Sequence, residues 1–342
     1  MSLKSNRALV GSIAAALALT TAACSSGEPT AKAEGDVPTV RFQGLPADPD
    51  TIPMLVMQEH GLDEKYGFAA ELVEVEPDAA TNTLLLGESD IAMEQDAIAM
   101  THAQAEGHDA VVFYPVLNTM VGVVVAEDSP YQTPEDLIGK KVGHFGVDSG
   151  TTAIIGTMLK KLYDIDVFED YDLVETGPSA LPELLKTGRV DAIFNYEPLA
   201  LRAVLETPGR YLFEPAKAWA EEEDGWSPPL TFLAARTEWL EENTDLAINV
   251  RKAWAEAIEI IEESNYELVA EEPYRAYLDM RTEEELDAFI EYCAALPCFL
   301  NSWTEQDKDK LNGWLELMAD NDVLIEETAE KPVAIFLEDL KG

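Results

Sequence analysis

The segment Leu84–Ala92 (LLLGESDIA) returns 101 residues later as Leu185–Ile193 (LKTGRVDAI). In both copies a helix-like apolar stretch meets a glycine, two residues follow, and an aspartate opens an apolar strand-like run. Glycine suits the left-handed position that closes a helix. One copy would be a common helix-to-strand turn, whereas two in matching surroundings call for two lobes of similar build. Strand and helix patterns alternate around the first copy. Val37–Gly44, Ala70–Glu76, Ile91–Met93 and Ala110–Val116 read as strands, and Ile52–His60, Ala79–Leu86 and Ile98–Gly107 as helices. Such alternation predicts an α/β fold with mainly parallel sheets.

The first residues carry an address. Lys4 and Arg7 precede the apolar run Ala8–Leu19, then Thr21-Ala22-Ala23-Cys24 and small polar residues. This is the pattern of a secretory signal over residues 1–23, too short for a membrane span of roughly 20 apolar residues. Cys24 after Ala-Ala resembles a bacterial lipobox, with Thr21 standing where leucine is usual. A lipidated Cys24 and a flexible tether over 24–36 follow from that resemblance. The alternative is a plain signal peptide that happens to contain a cysteine.

About 300 residues remain, enough for two lobes with their own cores. Removing residues 1–23 takes away Lys4 and Arg7 and no acid, so the formal charge moves from −43 to −45. That surface excludes nucleic acid as a partner. It suits a high-salt setting, where the Debye length at about 1 M is near 3 Å and self-repulsion is screened. Cys293 and Cys298 are the remaining cysteines; two buried thiols are the expectation, a small disulfide around Pro297 the alternative. No metal-ligand spacing surrounds them, His102 and His108 make no metal pair, and no cofactor motif appears.

The stretch Gly143–Ala153 (GHFGVDSGTTA) places glycines, Ser149, Thr151 and Thr152 just before an apolar helical run. Hydroxyls and free N–H groups at a helix start suit an oxygen-rich or anionic group; a helix cap with no ligand is the alternative. Gly-Val-Asp-Ser-Gly lacks the spacing of a nucleophile elbow and the Gly-Lys-Ser/Thr of a phosphate loop.

Thr133–Gly143 (TPEDLIGKKVG), the Gly/Ser/Thr turn, and Leu184–Pro198 (LLKTGRVDAIFNYEP) follow Ile52–Val75 and Leu84–Met93 in order. Together they resemble the periplasmic-type receptors of nitrate/taurine/sulfonate and thiamine-precursor ABC importers, over about Val37–Ala203. The resemblance implies a two-lobed periplasmic-binding-protein type II fold with a two-strand hinge, with lobe 1 over 37–120 and 229–342 and lobe 2 over 121–228. It implies a lipid-anchored, extracytoplasmic receptor, without enzymatic turnover, that takes a small-molecule solute and hands it to an ABC permease with a cytoplasmic ATPase. A sensory lipoprotein or an enzyme on the same fold is the rival class.

Ligands of such sheets sit beyond the carboxyl ends of the strands. The candidates there are Asp48, Asp50, Gln95, Asp96, Asn118, His144, Ser149, Thr151, Thr152, Asn195, Tyr196 and Glu197, with Trp226 at the return crossing. Glu94 stands among the cleft-facing acids. The hydroxyl turn makes nitrate or a taurine-like sulfonate the leading expectation, met by Arg41, Arg202 or Arg236 if one reaches the cleft. The shortage of an obvious arginine favours a neutral or cationic heterocycle, such as a thiamine-precursor pyrimidine, against Tyr196 and the carboxylates. On the first reading, alanine at Ser149 and Thr151 weakens binding with little change in stability.

Overall fold

The computed structural model describes residues 37–147, 149–321 and 332–341. The signal peptide, Cys24 and the tether lie outside the described residues. Residues 37–342 form one compact unit built on two five-stranded sheets. The first contains β1 (Thr39–Gly44), β2 (Ala69–Glu74), β3 (Ile91–Gln95), β4 (Ala110–Pro115) and β10 (Phe232–Arg236), in the order β2-β1-β3-β10-β4. The second contains β5 (Val121–Ala126), β6 (Lys141–His144), β7 (Asp172–Glu175), β8 (Ala192–Tyr196) and β9 (Gly209–Phe213), in the order β7-β6-β8-β5-β9. The first three strands of each order are parallel, and the fourth runs antiparallel to both neighbours. The two lobes therefore share one topology.

The repeated motif does the same work in both. Gly87 and Gly188 close their helices at φ +79° and +65°. The carboxylate of Asp90 accepts from the Arg41 N–H at 2.9 Å, and that of Asp191 from the Lys141 N–H at 3.0 Å. Each aspartate N–H donates in turn to the carbonyl of the same residue. One aspartate thus brackets one residue of the neighbouring strand in each lobe, setting β3 against β1 and β8 against β6.

The helices that matter here are α1 (Ile52–Glu59), α2 (Ala97–Ala105), α3 (Gly150–Tyr163), α4 (Leu199–Glu206), α5 (Thr244–Glu263), α6 (Glu283–Ala295) and α7 (Glu305–Asp320). On α5 the apolar face that recurs at helical spacing, Ala253, Trp254, Ala257, Ile258 and Ile261, is fully buried, and Trp254 stacks on Phe42 with centroids 6.4 Å apart. Burying side chains of this size contributes about 1.5–3 kcal/mol each. A capping box starts α7, with Thr304 N–H donating to Asp307 at 2.9 Å and the Asp307 N–H returning to the Thr304 hydroxyl. Among the described residues no helix is long and apolar enough to cross a membrane.

Three segments meet at the hinge. The chain leaves the first sheet after Pro115, and it returns to β10 from the second. Asn118 donates its N–H to Cys298 O at 2.9 Å and its amide to Pro297 O at 3.1 Å, and accepts from the Ser227 hydroxyl at 2.7 Å. Cys293 and Cys298 are bonded to each other, in place of the two thiols expected, because α6 stops at Ala295 and the chain turns back at Pro297. The bridge closes the hairpin that holds Asn118. Loop-closure entropy for so short a ring is about 2 kcal/mol. The double variant C293S/C298S should lose about that much stability by denaturant midpoint; an unchanged midpoint would mean that the hydrogen bonds alone hold the hairpin.

Candidate functional site

The strand ends of the two lobes meet: Asp96 after β3 lies against Gly150 after β6, and Tyr196 at the end of β8 feels the charges of Asp48 and Asp50 after β1. The first lobe brings carboxylates. Asp48 and Asp50 lie in the turn after β1 and Glu94 on β3. Asp48 accepts from the Asp50 N–H at 3.2 Å, and Asp50, 1% exposed, accepts from the Thr231 hydroxyl at 2.8 Å. Glu94 accepts from the Gln43 and Gln95 amides, the latter at 2.8 Å, and Gln95 is steadied by the Thr81 hydroxyl at 3.1 Å.

These bonds do not offset the loss of water. Burial pushes Asp48 up to about 6 and Glu94 up to about 7. Asp50 is pushed well above the usual carboxylate range by burial and by the neighbouring Asp48 charge. No cation is among the principal influences on any of the three. A buried charge without an opposite partner favours its neutral form. Among the described residues, no group of three or more His, Cys, Asp or Glu is arranged to hold a metal ion.

The second lobe brings aromatic rings. Tyr196, half-buried at the end of β8, packs edge-on against Phe145 with centroids 5.5 Å apart. Burial raises the Tyr196 hydroxyl above its ordinary range, and the charges of Asp48 and Asp50 add to this. Tyr196 therefore faces the acid pair across the cleft.

The three arginines considered for an anion are engaged elsewhere. Arg41 forks onto Asp90 at 2.6 and 3.0 Å, Arg202 pairs with buried Glu285 at 2.6 Å, and Arg236 donates to the Leu84 and Ser89 carbonyls. The hydroxyl turn is also used internally. Ser149 caps α3, accepting from the Thr152 N–H at 3.2 Å while its hydroxyl meets Gly146 O and Thr152 Oγ1, both at 2.9 Å. Thr151 and Thr152 are buried. Alanine at Ser149 then removes a cap worth about 1 kcal/mol, rather than leaving stability untouched.

Several other candidates serve the scaffold. His144 accepts from the Gly146 N–H through Nδ1 at 3.2 Å and holds the turn. Asn195 is buried between Pro178 O and its own neighbour's N–H. Glu197, pushed up to about 7 by burial, takes the Tyr211 hydroxyl at 2.6 Å and the Leu201 N–H at 2.8 Å in α4. Asn118 is the hinge tie described above. Trp226 lies in a separate cavity of about 310 Å³ with Trp219, Trp314 and Lys310, whose Nζ is 5.6 Å from its ring centre. Sequence patterns did not point to Gln43, Phe145 or Thr231. A glutamine at a buried position of β1 was the one available signal.

Residues 48–264 match the family described as NMT1/THI5 like. Among solved structures, the chain is similar to the periplasmic aliphatic sulphonate binding protein SsuA from Escherichia coli, with 19% identity and a TM-score of 0.67 over 86% of this chain and 95% of that one. It is also similar to the alkanesulfonate-binding protein SsuA from Xanthomonas axonopodis pv. citri bound to MOPS, with 15% identity and a TM-score of 0.68 over 87% and 98%. A third similar structure is the desulfurization enzyme DSZB, with 13% identity and a TM-score of 0.60 over 89% and 99%. At these identities the likeness is one of fold, the two-lobed α/β fold of periplasmic binding proteins. A comparison with curated proteins found no match.

A carboxyl whose folded value is raised stabilises the fold below its unfolded value, near 4, and that stability is lost as pH rises through the folded value. For Glu94 the loss runs from about pH 4.5 through about 7. Glu94→Gln should therefore melt higher than the parent at pH 8 and at the same temperature at pH 4, both in high salt. Equal melting temperatures at pH 8 would show that Glu94 is not held under strain of charge.

Proposed function

The chain belongs to the NMT1/THI5-like family, and on that premise we propose that it is the extracytoplasmic solute receptor of an ABC importer. It binds one small molecule between its lobes, without turnover, and presents the closed complex to a membrane permease. Cys24 would carry the lipid that keeps the receptor at the cell surface. The acidic exterior and the Cys293–Cys298 bridge suit a compartment outside the cytoplasm.

The solute class is a neutral to cationic heteroaromatic compound, of the thiamine-precursor pyrimidine type. The carrying observation is that Asp48, Asp50 and Glu94 have no cation among their principal influences, while Asp48 and Asp50 act across the cleft on Tyr196, which packs on Phe145. Carboxylates accept from ring amines or pair with a ring cation, and the aromatic pair covers the flat face. An anionic head would meet repulsion instead, about 4 kcal/mol for each full charge at 4 Å and an effective dielectric of 20. The sulfonate recognition named for the similar structures belongs to those proteins. In this cleft the arginines that would serve a sulfonate are paired elsewhere.

The test is calorimetric titration of the soluble form from Ser25 with thiamine, aminopyrimidines, riboflavin, nitrate, taurine and methanesulfonate. Thiamine carries a permanent cation, so its affinity should rise between pH 5 and 8 as Asp48 and Glu94 ionise, and binding near pH 6 should release protons, giving a buffer-dependent heat. Binding of taurine or nitrate alone, or a thiamine affinity flat across that range, would overturn the solute class.

A further inference from the structure

Asp96 joins the two lobes. It follows β3 in the first lobe and caps α2 there, one carboxylate oxygen accepting from the Ala99 N–H at 2.7 Å. The other oxygen lies across the cleft against Gly150, the first residue of α3 in the second lobe. The approach is close enough to dictate the residue opposite. A Cβ at position 150 would stand 2.6 Å from Asp96 Oδ2 and 3.2 Å from its Cγ, so a larger residue would require the carboxylate to move away.

The start of a helix offers four N–H groups without helical partners and the positive end of its dipole. In α3 two of these four are taken within the same turn, Ser149 N–H donating to Gly146 O at 3.4 Å and Thr152 N–H to the Ser149 hydroxyl, and the Asp96 carboxylate stands against Gly150, which carries a third. The place where a helix start would hold the oxygens of a bound anion thus already holds oxygens, and they carry a charge from the opposite lobe.

We propose that Asp96 is a specificity-determining residue, a resident anion that seats on the α3 N-terminus as the lobes close and so excludes solutes with an anionic head. The inference deepens the solute class proposed above and rests on it for the site's occupant. Closure then needs no anion from the solute, because the contact that an anion would make between the lobes is made by Asp96. Asp96 differs in this from Asp48, Asp50 and Glu94, which lack any donor from the second lobe among their principal influences.

The experiment uses the mature chain and two substitutions that spare the helices. Asp96→Ser keeps a good cap for α2 and removes the charge. Gly150→Ala keeps the charge and favours helix, but forbids the contact. Small-angle scattering without solute should show a larger radius of gyration for both variants than for the parent. Titration with methanesulfonate should show no measurable binding to the parent or Gly150→Ala, and measurable binding to Asp96→Ser. An Asp96→Ser variant that gains no methanesulfonate affinity overturns the assignment, whether or not its lobes open. Unchanged dimensions in both variants overturn it as well. The two readings fail separately. If thiamine and the pyrimidines do not bind the parent while Asp96→Ser gains methanesulfonate, Asp96 keeps its role and the heterocycle class falls. If the heterocycles bind and Asp96→Ser gains nothing, the reverse holds.

Discussion

Carboxylates held close together without a cation are the condition around which the cleft is organised. Each is placed by a strand end or the turn after it, and each is partly shielded by an uncharged donor: Thr231 for Asp50, Gln43 and Gln95 for Glu94, and Ala99 N–H for Asp96. Neutral donors ease the desolvation of a charge without cancelling it. On the proposed reading the cleft prefers something positive or hydrogen-rich, and that preference comes from the first lobe alone. The second lobe contributes rings and a helix start.

The likeness of the lobes extends to how they are joined. In each sheet the antiparallel fourth strand is the one that follows a crossing, β5 after the outward passage and β10 after the return. Neither sheet is complete until the chain has crossed. The aspartate that brackets β1 or β6 repeats at the same point in both, so the strand ends that carry the site residues sit at equivalent heights in the two halves.

Much of this was legible in residues 37–342. The strand and helix alternation, the glycine turns at 87 and 188, the apolar face of α5 and the cap at Thr304 follow from local rules, and the structure shows each. The cleft edge was legible because parallel strands present their carboxyl ends together, which brought Asp48, Asp50, Glu94 and Tyr196 into one region. Other readings failed where a long-range partner decides. Glu197 and Asn195 stand at a strand end, yet their side chains turn inward to Tyr211 and Pro178, and Trp226 packs beside Lys310. Arg41, Arg202 and Arg236 looked available until their partners, 49, 83 and 147 positions away for Asp90, Glu285 and Ser89, were in place. Ser149 and Gly150 marked a helix start correctly, but no local pattern shows that a carboxylate from the other lobe reaches it.

The lacing at Asn118 also determines what kind of movement the molecule has. Leu117 O accepts from the Leu230 N–H, Asn118 from Ser227, and Thr119 donates to Pro228 O, so the outward and returning strands are stitched rung by rung. Two connections fastened in this way flex as a single ribbon and cannot shear past one another. The hairpin closed by Cys293 and Cys298 grips that ribbon from the helical end of the chain. The helix α6 is thereby moored directly to the crossing between the lobes.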